Sequence, residues 1–405
     1  MSAEGPRIKV LCVAGARPNF MKVAPLIRAL DRSALFQVRL LHTGQHYDDR
    51  LSRVFFDDLA IRPPDIELAV GSGSHARQTA EIIRRFEPVL EDEQPQAVVV
   101  VGDVNSTVAC ALVAAKFELG AERRFRWKFG WRRRPVTIHV EAGLRSGDDD
   151  MPEEINRRLT DAISDLLFVS DPSGLENLRH EGIPDERVFF VGNVMIDTLV
   201  AAREHAMRSR VLEQLGLRER QFGVVTLHRP SNVDDPATFR TLLEVLDGLA
   251  TPACPLVFPV HPRTLARLET MAIDFDRARW RITGPLGYLD FLKLQALARI
   301  VFTDSGGVQE ETTILGVPCV TLRDNTERPV TVTEGTNVLA GTDQARIVAA
   351  CVKATSAAGR GRVPRYWDGQ AASRIEEALR TVFTLPASGA SEPVSALPFS
   401  ESMAR

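Results

Sequence analysis

Cysteine is scarce in this chain of 405 residues. Cys12, Cys110, Cys254, Cys319 and Cys351 are odd in number, far apart and never in a C-x-x-C pair. That spacing excludes a disulfide framework and a zinc site, and points to a reducing compartment, the cytoplasm. No run reaches the roughly 20 apolar residues that span a bilayer. The opening MSAEGPRIKVLCVAGARP holds too short an apolar stretch for a signal peptide. Excess charge of one sign is also lacking: 50 Lys and Arg against 53 Asp and Glu leave a net −3. A nucleic-acid partner bound by whole-molecule charge is therefore not expected. Two nucleotide signatures are missing too. No G-x-x-x-x-G-K-[ST] occurs, and no G-x-G-x-x-G follows the first apolar run, so a P-loop and a Rossmann NAD site lose their support.

What is present is a regular alternation of short apolar runs with helical patterns, the signature of parallel α/β architecture. Strands are predicted at Ile8–Ala14, Phe36–His42, Ile66–Val70, Ala97–Gly102, Val136–Val140, Leu166–Ser170 and Val188–Val191. A helical bridge follows near 195–217, and a second series reads Phe222–Leu227, Leu256–Val260, Arg281–Thr283, Ile300–Thr303 and Val317–Leu322. The runs are apolar without a break, as strands buried on both faces require. The expected organisation is two doubly wound domains, 1–197 and 198–369, then a helix at 370–384 and a tail at 385–405. The tail is rich in Ser, Ala and Pro and is expected to be disordered.

Ligands of open α/β sheets bind beyond the carboxyl ends of the strands. The conspicuous polar residues fall there in both halves: Arg17, Asp103 and Glu141 in the first, His228 and Asp304-Ser305-Gly306-Gly307 in the second. One such placement would mean little, because strands must end and loops are polar. Repetition across both halves implies one cleft between them. Ser305-Gly306-Gly307 opening a helix can cradle a phosphate, although a plain N-cap explains it as well. Arg17, His228 and Arg328 can add positive charge around the same anion. Asp103, Glu141 and Glu153 supply carboxylates for acid–base work; each alone could equally be a surface or capping residue.

These stretches resemble one family, the non-hydrolysing UDP-N-acetylglucosamine 2-epimerases. The matching segments are GARPNFMKVAPL (15–26), TGQHYD (43–48), VVGDVNSTVACALVAAK (100–116), HVEAGLRSG (139–147) and MPEEINRRLTD (151–161). FVGNVMIDTL (190–199), LHRPSNVD (227–234), TDSGGVQEE (303–311) and RDNTERP (323–329) continue the likeness. The resemblance implies the two-Rossmann-domain fold of GT-B type glycosyltransferases, with the last helix crossing back to the first domain. It implies a UDP-sugar substrate, no cofactor, no metal and a homodimer. It also implies a reaction in which the C2 proton leaves as the anomeric bond to UDP breaks. The bound 2-acetamidoglucal then takes back UDP and a proton on the opposite face. On this basis Asp103, Glu141 and Glu153 match the acid–base carboxylates, and His228 the histidine beside the diphosphate. Arg17 and Lys22 match the phosphate and sugar side, and Ser305 and Gly306 the phosphate loop. Glu311 matches the ribose carboxylate, Arg328 a further ligand contact and Phe291 the aromatic near uracil. Gln45 and His46 match residues of a second, allosteric substrate site.

Three places depart from relatives. Leu-His-Arg-Pro-Ser-Asn (227–232) replaces a Gly-His-Arg-Arg-Glu stretch, which weighs against substrate activation. The 147–152 loop is shorter than in some relatives. Ala121–Arg134, AERRFRWKFGWRRR, holds seven basic residues and one acidic, so the rest of the chain carries −3 − 6 = −9. A solvated insertion or an oligomer contact is the plainer reading of it; an anionic partner or a membrane surface is the alternative. It precedes Val136–Val140 at the end away from the cleft and is not expected to join the catalytic site. An epimerase of a modified UDP-aminosugar, a hydrolysing epimerase, a GT-B glycosyltransferase and a non-catalytic UDP-sugar sensor are the rival functions. The three carboxylates weigh against the last two.

Overall fold

The computed structural model describes residues 7–44, 61–260, 262–356 and 361–384, apart from the side chains of residues 17, 262 and 263. Seven strands form the first sheet: β1 (Ile8–Ala14), β2 (Phe36–His42), β3 (Ile66–Glu67), β4 (Ala97–Val101), β7 (Val136–Ala142), β8 (Leu166–Val169) and β9 (Val188–Phe190). Their order is β3-β2-β1-β4-β7-β8-β9. The second sheet contains β10 (Gly223–Thr226), β11 (Leu256–Pro259), β12 (Trp280–Thr283), β13 (Ile300–Thr303), β14 (Cys319–Thr321) and β15 (Asn337–Leu339). It runs β12-β11-β10-β13-β14-β15. Every pairing within the two sheets is parallel. The strand order reverses between β1 and β4 and again between β10 and β13, the switch points at which such sheets bind ligands.

The apolar runs form strands because helices cover both faces. All residues of β4 and β7 are buried. One face of the first sheet packs against the helix Arg17–Asp31, the other against His75–Glu93 and Asn105–Lys116. No described helix is long and apolar enough to cross a membrane.

The final helix, Ala371–Phe383, packs its Ile375, Leu379, Val382 and Phe383 into the core of the first sheet, where Phe383 meets Phe36 edge-on. Asp197 fixes its start, its carboxylate accepting the Ala371 and Ala372 N–H groups at 3.1 and 2.8 Å. Ahead of it the buried Trp367 indole donates to the Ser170 carbonyl at 2.9 Å.

The basic segment is solvated on one face and anchored on the other. It folds as an antiparallel hairpin, β5 (Phe125–Trp127) and β6 (Gly130–Arg132). Alternation explains the anchoring: Trp127 is buried and Phe125 packs on Phe383, while Arg126 and Trp131 between them face out. The Lys128 N–H donates to the Val382 carbonyl at 2.9 Å, tying hairpin to final helix. Arg132 and Arg134 both pair with Asp165.

Burial raises the Asp197 carboxyl to about 6, against the pull of its two backbone bonds. A folded-state value above the unfolded one means that the protonated form favours folding. This share of stability is complete below about pH 4 and is lost as pH rises through 6. Relative to Asp197→Asn, wild-type stability in urea titrations should decline from about pH 4 to 6 and run parallel above. A constant difference across that window refutes the assignment.

Candidate active site

At the carboxyl edge of the first sheet, β1 passes through Gly15 and Ala16 into the helix Arg17–Asp31. Asn19 stitches this turn to β4: its Oδ1 accepts the Gly15 and Ala16 N–H groups at 3.0 and 2.8 Å, and its Nδ2 donates to the Val101 carbonyl at 3.1 Å. Almost one turn on, Lys22 Nζ donates to Glu141 Oε1 at 2.7 Å. Gly102, beside this contact, has φ +67°, a backbone that favours glycine, and a Cβ there would lie 2.8 Å from Lys22 Nζ.

Glu141 sits at a register shift between Val140 and Ala142, with φ +74°. A bulge re-aims a side chain, and a non-glycine residue in this region is strained. Its neighbours hold it. His139, wholly buried, lies between the Gly102 carbonyl (2.8 Å) and Asp161 Oδ1 (2.6 Å). Asp161 Oδ2 accepts the Gly143 N–H at 3.0 Å and Arg145 at 2.8 Å.

Asp103, one residue past Gly102, receives Arg157 Nε and Nη2 at 2.9 and 2.7 Å. Burial alone would raise its carboxyl, but Arg157, Lys22 and Arg328 together hold it below the usual carboxylate range. Arg157 Nη1 also donates to the buried Glu154 at 2.6 Å. Glu153 begins the same helix, Pro152–Ile163, half-buried and without a bonding partner among the described residues. Helical spacing puts it on the face of Asn156 and Arg157, both of which bond Asp103.

The second sheet meets this edge through Arg328. Its Nη2 donates to Glu141 Oε1 at 2.7 Å, the atom that Lys22 also holds, and its Nε bonds Glu310. Burial, together with the Glu141 charge and against Arg328, raises the Glu310 carboxyl. The four carboxylates Glu310, Glu141, Glu327 and Asp103 keep Arg328 firmly protonated despite its burial. Glu141 Oε2 and Arg328 Nη1 are buried with no partner among the described residues. Opposite charges left open in one place suit a polar ligand.

His228 follows β10. Its Nδ1 lies 2.7 Å from Asp304 Oδ1, and its ring is more than half exposed. The buried Asp304 also accepts the N–H groups of His228 and Arg229 and the Asn232 amide. A carboxylate on Nδ1 assigns the proton there and leaves Nε2 as the acceptor nitrogen. Ser305 caps the helix Gly306–Leu315, but its side chain makes no capping bond. Gly306 is close-packed: a Cβ would fall 2.6 Å from Glu327 Oε1. Burial opposes the Glu327 charge, yet Arg328, Arg323, Arg229 and Arg157 hold its carboxyl well below the usual range.

Glu311 occupies the other side of that helix. Its Oε2 accepts Gln295 Nε2 at 2.5 Å, and burial pushes its carboxyl up to about 7 despite hydrogen bonds from Gln295 and Tyr288. Phe291, half-buried, packs in the apolar cluster that includes Val308. Lys22, Glu141 and Arg328 are thus in direct contact, with Asp103 close enough to feel both cations. Phe291 and Glu311 form a separate, second-sheet group. Gln45 and His46 lie outside the described residues, as does the side chain of Arg17.

A family model described as UDP-N-acetylglucosamine 2-epimerase matches residues 28–122 and 128–380. The chain belongs to the UDP-N-acetylglucosamine 2-epimerase family. As a member it is an isomerase with the GT-B-like two-domain fold. It is 38% identical over 351 residues to a UDP-N-acetylglucosamine 2-epimerase of Methanocaldococcus jannaschii, covering 85% of this chain and 91% of that one. It is 36% identical over 375 residues to the UDP-2,3-diacetamido-2,3-dideoxy-D-glucuronate 2-epimerase of Pseudomonas aeruginosa, covering 92% and 99%. A crystal structure of the M. jannaschii enzyme with UDP-GlcNAc and UDP superposes with a TM-score of 0.81 at 36% identity, over 92% of this chain and 99% of that one.

Several residues of this family member's cleft escaped the sequence reading. All are buried: Arg157, Glu310 and Asp304 bond the expected Asp103, Arg328 and His228, Glu327 bonds Arg229 and Arg323, and Asn19 ties β1's end to β4. Asp304 alone had a signal, its place at a strand end. Gly306→Ala tests the packing: the added methyl must displace the Glu327 carboxylate from Arg229. Urea unfolding should show a loss of about 1–3 kcal/mol, the scale of overpacking; an unchanged midpoint would refute the close approach.

Proposed function

We propose that this family member interconverts UDP-N-acetylglucosamine and UDP-N-acetylmannosamine without hydrolysis. The observation that carries the reading is the meeting of Lys22, Arg328 and the strand-end carboxylate Glu141 beside Asp103, with the Asp304-held His228 at a strand end of the second sheet. Cations and carboxylates in one cleft serve a substrate whose diphosphate must leave while a carbon-bound proton moves. The sugar C2–H bond breaks, its proton going to a carboxylate, as the electron pair displaces UDP from C1. In the return step UDP oxygen attacks C1 and a carboxylic acid delivers a proton to the other face of C2. Asp103, Glu141 and Glu153 share these acid and base roles, and the exposed ring of His228 meets the charge developing on the leaving diphosphate. Arg17, Lys22, Arg328, Ser305 and Gly306 hold the phosphates and sugar, with Phe291 beside uracil and Glu311 on the ribose.

A second reading has one specific support. The Pseudomonas relative acts on a diacetamido uronic acid, and it matches this chain over nearly its whole length. Both substrates therefore belong in one assay. In D2O, proton NMR should show C2 deuteration and the manno product from UDP-N-acetylglucosamine, with no added NAD. His228→Ala and Glu141→Gln should each cut turnover at least ~100-fold. Turnover of the uronate alone selects the second reading, and stoichiometric free sugar overturns both.

Glu311 gives a pH prediction. Ribose hydroxyls donate to the carboxylate form, so UDP binding lowers a value that stands at about 7 and releases a proton. UDP affinity should be flat above pH 7 and fall below it. Calorimetry in buffers of different ionisation heat should detect the proton in wild type and not in Glu311→Gln. Equal release in both refutes the role.

A further inference from the structure

The hairpin carries more than its own anchoring requires. Three of its cations have carboxylate partners: Arg132 and Arg134 share Asp165, and Arg133 pairs with Glu118. Arg123, Arg124, Arg126 and Lys128 have no carboxylate partner among the described residues. Two large rings stand among them, Trp131 at 61% and Phe129 at 44% exposure. The Arg124 guanidinium lies 4.7 Å over the Trp131 ring, and Lys128 Nζ lies 5.1 Å over Phe129. Register puts Arg126 opposite Trp131 on the outward face. The family model's match is interrupted at 123–127, so Arg123, Arg124 and Arg126 lie outside it, while Lys128, Phe129 and Trp131 lie within.

We infer that the outward face of this hairpin docks on an anionic phospholipid surface. Aromatic rings settle at the headgroup level, and neighbouring cations meet lipid phosphates there. Scale favours lipid over a protein partner. Strands of three residues each present little area, whereas a stable protein interface buries roughly 1,200 Å² or more. A nucleic acid fits less well, because it follows an extended track of cations. These cations are confined to one hairpin on a chain whose remainder is −9. Orientation is permissive: the hairpin leads into β7 at its amino end, whereas Asp103 and Glu141 lie at strand carboxyl ends. A docked molecule keeps its cleft open to solution.

The full chain should sediment with mixed phosphatidylcholine–phosphatidylglycerol vesicles but not with phosphatidylcholine alone, and added salt should release it. Arg124→Ser/Arg126→Ser/Trp131→Ser should lower that partition at least ~tenfold at an unchanged melting temperature. Arg126→Glu/Lys128→Glu, which leaves every aromatic in place, should do the same. Equal sedimentation of wild type and variants, or none for wild type at low salt, overturns the proposal. So does a change of solution mass in the variants with vesicle binding intact, which marks a subunit contact. Tighter binding of a single-stranded oligonucleotide than of the vesicles overturns it as well.

Discussion

The guanidinium of Arg328 is the interaction on which the site depends. It comes from the second sheet's side of the molecule and bonds Glu141 at a strand end of the first, while its Nε bonds Glu310 beneath it. Desolvating such ions costs several kcal/mol each, so they are stable there only in company. Each partner therefore fixes the others: remove one and a buried charge is stranded. The two sheets meet at the cleft through charge complementarity between their loops. That joint has an unused valence on each side, Glu141 Oε2 and Arg328 Nη1. On the function proposed above, a diphosphate competing for Arg328 and Lys22 would loosen Glu141 from two cations at once, which is what a carboxylate needs in order to accept a proton.

Strain at Glu141 follows from the same requirement. A left-handed backbone at a non-glycine residue costs about 1–3 kcal/mol and persists only where its surroundings dictate it. Here His139 and Asp161 brace the chain on both sides, through the Gly102 carbonyl and the Gly143 N–H. One buried pair thus sets two strand ends, those that present Asp103 and Glu141. Glycine at 102 and at 306 serves a matching need, giving Lys22 and Glu327 room to approach the backbone.

The fold was legible because buried parallel strands write themselves as unbroken apolar runs. Ile8–Ala14, Phe36–His42 and Ile300–Thr303 have the same limits in sequence and structure. β15 was not legible: Asn337–Leu339 is three residues long, too short to form a run. The hairpin was hidden by its charge, because alternating Arg with Phe and Trp reads as a basic segment until one face finds Phe383 to cover it. The strand-end rule brought out Asp103, Glu141 and His228. It could not bring out Glu310, Glu327 or Arg157, whose positions are set by helices and loops and whose partners lie far away in sequence. Asp304 was visible by position but not by role, since only the folded chain shows it bonded to the His228 ring at Nδ1.

The pair Glu310-Glu311 shows why adjacency in sequence is a poor guide to adjacency in chemistry. Successive helical residues point about 100° apart. Glu310 therefore reaches Arg328 in the cleft, while Glu311 turns to Gln295 on the neighbouring helix. Burial raises both carboxyls, but different neighbours answer it: a cation and a second carboxylate for one, neutral donors for the other. Two identical side chains on one helix turn thereby acquire separate tasks. One belongs to the charge balance that holds the sheets together. The other is pushed up to about 7 by burial, against the hydrogen bonds of Gln295 and Tyr288. Both sit on the helix that opens with Ser305-Gly306, so one rigid element carries the contact to Arg328 and the contact to Gln295.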